Sequence, residues 1–223
     1  MGKATFVAAW FAVVSSLPGL AMAAAIPVHN TGVNSSDVLV APGAQTAFWT
    51  LSAKPATATE AIGSTPFRFN CCYFPDTATA AWVSPQASGN AGVAGFYTYD
   101  LVIDLTGLNP ATASITGTFG TDNDGSISLN SGPPVATTGF GAFGSPTPFT
   151  INSGFVAGLN TIHLQVDNGG DPTAFFVSFA TATATASVAV STVASPVPAL
   201  SLPALAGLAV LLAMVGILLA RRA

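Results

Sequence analysis

Basic residues are almost missing from the body of this sequence. Lys and Arg together number five, against nine Asp and Glu, and charged side chains make up 6% of the chain. Lys3, Arg221 and Arg222 lie at the two ends, which leaves Lys54 and Arg68 to oppose Asp37, Glu60, Asp76, Asp100, Asp104, Asp122, Asp124, Asp167 and Asp171. Nucleic-acid binding needs clustered cations to displace counterions, so it is excluded, as is adhesion to anionic lipid headgroups. Glutamate occurs once, at Glu60, and histidine twice, at His29 and His163. With Cys71 and Cys72 adjacent, no other cysteine, and only His29 and His163 to add, the sequence argues against a zinc site. No Gly-x-Ser-x-Gly elbow is present, and no stretch of the middle has a helical period.

What is present at the ends differs from the middle. Residues 1–23 carry one cation, Lys3, then an apolar stretch from Phe6 to Leu17, then Ala21-Met22-Ala23. This is the layout of a signal peptide cut by signal peptidase before Ala24. Pro18 and Gly19 would break the alternative, a buried first helix. At the other end, Ala204–Ala220 is seventeen residues without a charge, followed by Arg221 and Arg222. As a helix it spans about 26 Å, close to a hydrocarbon core, and the arginines stop transfer on the cytoplasmic side. The expected topology is a domain outside and a short stub inside, with residues 199–223 as the transmembrane segment. Residues 180–198, rich in Ala, Thr, Ser, Val and Pro, read as a spacer whose first residues can extend the last strand.

Between the ends, period-two alternation predicts strands. Ala113, Ile115, Gly117 and Phe119 share one face of a strand; Ile162, Leu164 and Val166 share a second; Tyr97, Tyr99, Leu101, Ile103 and Leu105 share a third. Gly, Pro, Asn and Asp clusters separate them. The reading is an all-β domain over 24–179, a single antiparallel β-sandwich or jelly roll, with Trp49 and Trp82 in its core.

Two resemblances follow from quoted stretches. "FYTYDLVIDLTGLNPATASITGTFGTDNDGSISLN" with "FTINSGFVAGLNTIHLQVDNGGDPTAFFVSF" resembles the galactose-binding-like β-sandwich domains of exported bacterial proteins and glycosidase accessory modules. The resemblance implies that fold, often with a structural calcium. Val197-Pro198-Ala199-Leu200-Ser201, the apolar run and the arginine pair are similar to C-terminal sorting signals of the PEP-CTERM type, in the variant reading Ile/Val-Pro-Thr-Leu-Ser. Ala199 departs from its Thr. That similarity implies an exosortase-type processing enzyme, an inner-membrane precursor, and delivery to the cell surface or matrix. The sorting residues are Val197, Pro198, Leu200, Ser201, Arg221 and Arg222. A permanent single-pass anchor is the alternative.

Candidates for chemistry gather in turns. "TDNDGS" places Asp122, Asn123 and Asp124 together, and "GFGAFGSPTPF" offers Phe140 and Phe143 as exposed rings on which a sugar stacks. These five are the expected ligand-binding residues, for extracellular polysaccharide. Asp122, Asp124, Asp167 and Asp171 are the calcium candidates, although the loop lacks the first and last acids of an EF-hand. Phe67, Phe69, Tyr73 and Phe74 are further available rings. His163 stands on an outward strand face and reads as solvated, and His29 lies near the mature N-terminus, where order is least expected. Cys71 and Cys72 are expected either as two thiols, one of them buried, or as a strained vicinal disulfide. No catalytic residue is assigned. The expected function is a non-enzymatic surface protein, with a glycan hydrolase or a ligand-free structural subunit as alternatives.

Overall fold

The computed structural model describes residues 22–90 and 92–187, all within one compact unit. The signal segment falls almost wholly outside the described residues. So do the hydrophobic run, the sorting residues Val197, Pro198, Leu200, Ser201, Arg221 and Arg222, and most of the spacer. Among the described residues no helix is long and apolar enough to cross a membrane.

The described residues form eleven strands: β1 (Ala23–Ala25), β2 (Thr50–Ala53), β3 (Phe67–Arg68), β4 (Val83–Ser84), β5 (Gly95–Asp104), β6 (Ser114–Asp122), β7 (Asp124–Leu129), β8 (Pro134–Thr138), β9 (Thr147–Ile151), β10 (Leu159–Asn168) and β11 (Ala174–Thr185). They build two antiparallel sheets. The first has the order β3-β4-β11-β6-β9, with β1 also paired to β11; the second has the order β2-β5-β10-β7-β8. From β4 onward every connection except β7–β8 passes from one sheet to the other.

Alternation decides which face each side chain takes. In β5 and β10 the pairs Tyr97–Val166, Tyr99–Leu164 and Leu101–Ile162 sit directly opposite one another and point into the sandwich. They meet Ile115 and Phe119 of β6, Phe149 and Ile151 of β9, and Phe175 and Val177 of β11 in one core. All the inward faces expected from the sequence are buried, and Trp49 joins them; Trp82 is buried too, but outside this core.

Ala174–Val177 breaks the alternation, since all four residues are buried. The reason is a second, smaller core on the outer face of the first sheet, where Tyr73, Ala80 and Trp82 cover Ala174 and Phe176. A strand covered on both faces reads as a continuous apolar run. Gly120, opposite Phe176 in β6, is what admits the cover. A Cβ there would lie 2.7 Å from Phe74 and 2.8 Å from Trp82.

β11 also runs on to Thr185, past the boundary expected at Phe179. Its register shifts between Phe179 and Thr181, and Thr183–Thr185 then pair with β1. The Thr-Ala alternation of the expected spacer thus begins as sheet, its first residues held by a partner strand from the other end of the domain.

Candidate functional site

Three sheet-to-sheet crossings meet at one end of the sandwich. The β6–β7 crossing is Asn123 alone; the β10–β11 crossing is 169–173; the β8–β9 crossing is 139–146. Register fixes their neighbourhood: Asp124 pairs with Asp167, and Ala174 with Asp122. Residues far apart in sequence therefore converge because strand ends converge.

Asn123 staples two of the crossings. Its Oδ1 accepts from the Gly169 N–H at 2.6 Å, and its Nδ2 donates to Asp122 Oδ1 at 3.0 Å. Thr173 Oγ1 donates to the Asp122 carbonyl at 2.9 Å, and the Gly170 N–H donates to Asn168 Oδ1 at 2.9 Å. These bonds satisfy backbone groups that no sheet ladder reaches.

Between the crossings lies a cavity of about 470 Å³. Asp122, Asn123, Asp124, Phe140 and Phe143, the five expected binding residues, all line it, as do Asp167 and Asp171. Cys72, Tyr73, Gly169, Gly170 and Pro172 complete the wall. Phe140 is 80% exposed, with its ring edge-on to Phe143 at 6.3 Å. Phe143 in turn packs on Tyr73, and its carbonyl accepts from the Phe74 N–H at 2.8 Å, which fixes the aromatic loop on the second core.

Asp122 is the buried acid of the site, 6% exposed, and accepts from the Tyr73 hydroxyl at 3.0 Å. Burial raises its carboxyl above the ordinary value, and the Tyr73 hydrogen bond pulls part of the way back. Burial likewise lifts the Tyr73 phenol well above its usual range, with the charge of Asp122 adding to the effect. Asp124 and Asp167, directly opposite on β7 and β10, are a like-charged cross-strand pair, an arrangement that costs stability. One Asp124 oxygen, Oδ1, is buried without a hydrogen-bond partner.

The fit to calcium is a separate matter. Among the described residues no three of His, Cys, Asp or Glu are grouped as a metal ion requires. Asp122 turns to Tyr73 and Asn123, and it stands at the end of the first sheet while Asp124 begins the second. The four aspartates line one cavity without forming a carboxylate ligand set.

Other expected positions fall elsewhere. Cys71 and Cys72 are free thiols with their sulfurs 2.9 Å apart, and both are exposed, which corrects the expectation that one is buried. A bend over 71–74 turns both outward. The Cys71 thiol, by hydrogen bonding, pushes the Cys72 thiol up. His163 does stand on the outward face, 32% exposed, but it has a partner: its Nδ1 lies 2.6 Å from Asp100 Oδ1 across the β5–β10 pair. His29 is ordered, stacked on Phe48 with ring centres 3.5 Å apart and 2.7 Å from Asp37. Phe69 and Phe74 are packed against the second core, so they present no free face for a sugar.

Sequence reasoning offered Tyr73 as an available ring without its place in the cavity wall, and missed Phe96 in the adjoining recess. Phe96 stands on the outward parity of β5, 57% exposed, and that parity was the available signal. No protein-family model, no curated protein and no solved structure matches this chain.

Proposed function

We propose that this chain is an exported, non-enzymatic surface or matrix protein whose β-sandwich binds extracellular polysaccharide in the cavity between the three crossings. The observation that carries this reading is Phe140, an exposed ring standing beside Asn123 and a row of aspartates in one recess. Sugar C–H faces stack on such rings while hydroxyls donate to carboxylates and pair with amides. The passage of strands β4 to β11 between two sheets supports a jelly roll of the galactose-binding-like kind. Export rests on the signal segment and the sorting-like tail, with signal peptidase and an exosortase-type enzyme as processing partners. The precursor is then held in the inner membrane before reaching the surface.

A glycan array probed with the full chain and with Phe140→Ala tests the binding. The expected result is binding to a restricted set of glycans, weakened about tenfold or more by the substitution. No glycan bound, or equal binding by both proteins, overturns the assignment of the site. Mass spectrometry of the C-terminus in membrane and medium fractions tests the sorting. A terminus near Val197–Ser201 is expected, and an intact Arg222 on released protein counts against processing.

A glycan hydrolase is the second reading, and one observation favours it. Asp124 and Asp167 face each other across adjacent strands, at about 5 Å between Cβ atoms, within reach of a retaining carboxylate pair. Asp122, with its raised carboxyl, is the nearby candidate acid, but both its oxygens are held by Tyr73 and Asn123. Release of reducing ends from a bound glycan, abolished in Asp124→Asn, would establish the enzyme.

A further inference from the structure

A second recess lies on the outer face of the second sheet, and it shares Asp124, Phe140 and Asp167 with the first. Its volume is about 550 Å³. Phe96 of β5 stands at one side and Phe140, beyond β8, at the other, and both rings are exposed. Between them the floor is Ser126, Thr137 and Gln165, aligned in register across β7, β8 and β10. From β5 to β8 are three strand spacings, roughly 14 Å, so the floor is wider than a single sugar ring.

The charge of this continuous cleft has one sign. Four aspartates line it, and no Lys, Arg or His does. Among the described residues the basic side chains within ion-pair distance of a carboxylate are His29 at Asp37, Arg68 at Asp76 and His163 at Asp100, so Asp124, Asp167 and Asp171 meet no cation. Asp124 and Asp167 repel one another, and Asp124 Oδ1 has no donor. The ligand that relieves the Asp124–Asp167 repulsion brings positive charge to the middle of the cleft. Rings at both sides take the flat faces of a saccharide and also attract a cation.

Resting on the glycan-binding reading, we propose that the cleft takes a linear glycan bearing free amino groups, a glucosamine type of chain. The ammonium of one unit sits between Asp124 and Asp167 while neighbouring rings lie on Phe96 and Phe140. Anionic glycans are refused, because like charge across the cleft repels them.

Isothermal titration of the full chain with hexaglucosamine and with its fully N-acetylated counterpart tests this. The two probes differ by charge and not by backbone. The amine form is expected to bind tighter by about tenfold, the least that one hydrogen bond to a charged group supplies, and the preference should shrink with salt. Asp124→Asn with Asp167→Asn should abolish the preference, and Phe96→Ala should weaken binding of the hexamer. Should the double variant fail to fold, the two probes on the unaltered chain decide alone. Equal affinity for both hexamers overturns the amine selection and leaves glycan binding standing. Hexalysine binding as tightly as hexaglucosamine overturns it too, since charge alone would then suffice. Binding of some neutral glycan but of neither hexamer has the same consequence. Absence of any glycan binding overturns this inference together with the function it rests on.

Discussion

Replacing Tyr73 by Phe removes one oxygen from beneath the cavity and tests how the site is held. The phenol donates to Asp122 at 3.0 Å, and both partners are buried, with exposures of 9% and 6%. Both groups meet the cavity on one side only, so water there replaces the lost donor at best in part. A hydrogen bond to a charged group contributes roughly 1.5–3 kcal/mol, and Asp122 keeps its bond from Asn123, so a loss of about 2 kcal/mol is expected at neutral pH. In a domain of this size that lowers Tm by about 4–8 °C. The pH dependence is the sharper check. The Asp122 carboxyl is raised above 3.8, so the fold is favoured below that value and loses stability as pH climbs through the higher folded value. Without the phenol that folded value rises further, and the loss grows. Below pH 3.8 the carboxyl is protonated in both proteins, and the gap should shrink to about 1 kcal/mol, the worth of a neutral bond. Urea unfolding of both proteins at pH 3 and pH 7 measures it. An equal gap at both values, or no gap at pH 7, refutes a charge-assisted bond at Asp122.

Three other outcomes follow from the packing. All three tyrosines, Tyr73, Tyr97 and Tyr99, have phenols raised by burial, Tyr97 up to about 12 and the other two well above the ordinary range. Stability conferred by the neutral phenols is thus present below pH 10 and lost above it, and tyrosinate absorbance should stay silent at pH 10–11 and then appear together with unfolding; a native tyrosine ionising near 10 contradicts this burial. Gly120→Ala should destabilise by about 1–3 kcal/mol through rings that can shift. Gly117→Ala should cost more, because its Cβ would lie 2.4 Å from the Ser178 carbonyl oxygen, which is backbone; denaturant midpoints of the two variants give the order. Ellman's reagent should titrate both Cys71 and Cys72 in the native chain, with Cys72 the slower because its raised pKa leaves less thiolate; a single reacting thiol would place the other out of reach of solvent.

The alternating strands were legible because one face of each meets water and the other meets its opposite sheet. Ile115 and Phe119, or Leu164 and Val166, declare that contrast in the letters themselves. Phe175-Phe176 did not, since its second cover comes from Tyr73 and Trp82, about a hundred residues earlier, and nothing local announces them. The site was half legible for the same reason. Asp122-Asn123-Asp124 stands out as a polar turn, and Phe140 as a ring among glycines. That Asp167 faces Asp124 is a matter of register between strands separated by a hairpin and two crossings, which pattern alone does not fix. His163 misled because outward parity says which face a side chain takes, and not that Asp100 waits on the neighbouring strand.

The path of β11 decides which way the domain looks. That strand starts beside the cavity at Ala174, and its twelve residues carry the chain roughly 40 Å to the far end, where Thr185 lies against Ala23. Both termini of the folded body thus leave from the pole opposite the cleft. The mouth of the cleft is therefore free of both ends of the described body, and a partner joined to either end does not have to share the space a ligand takes.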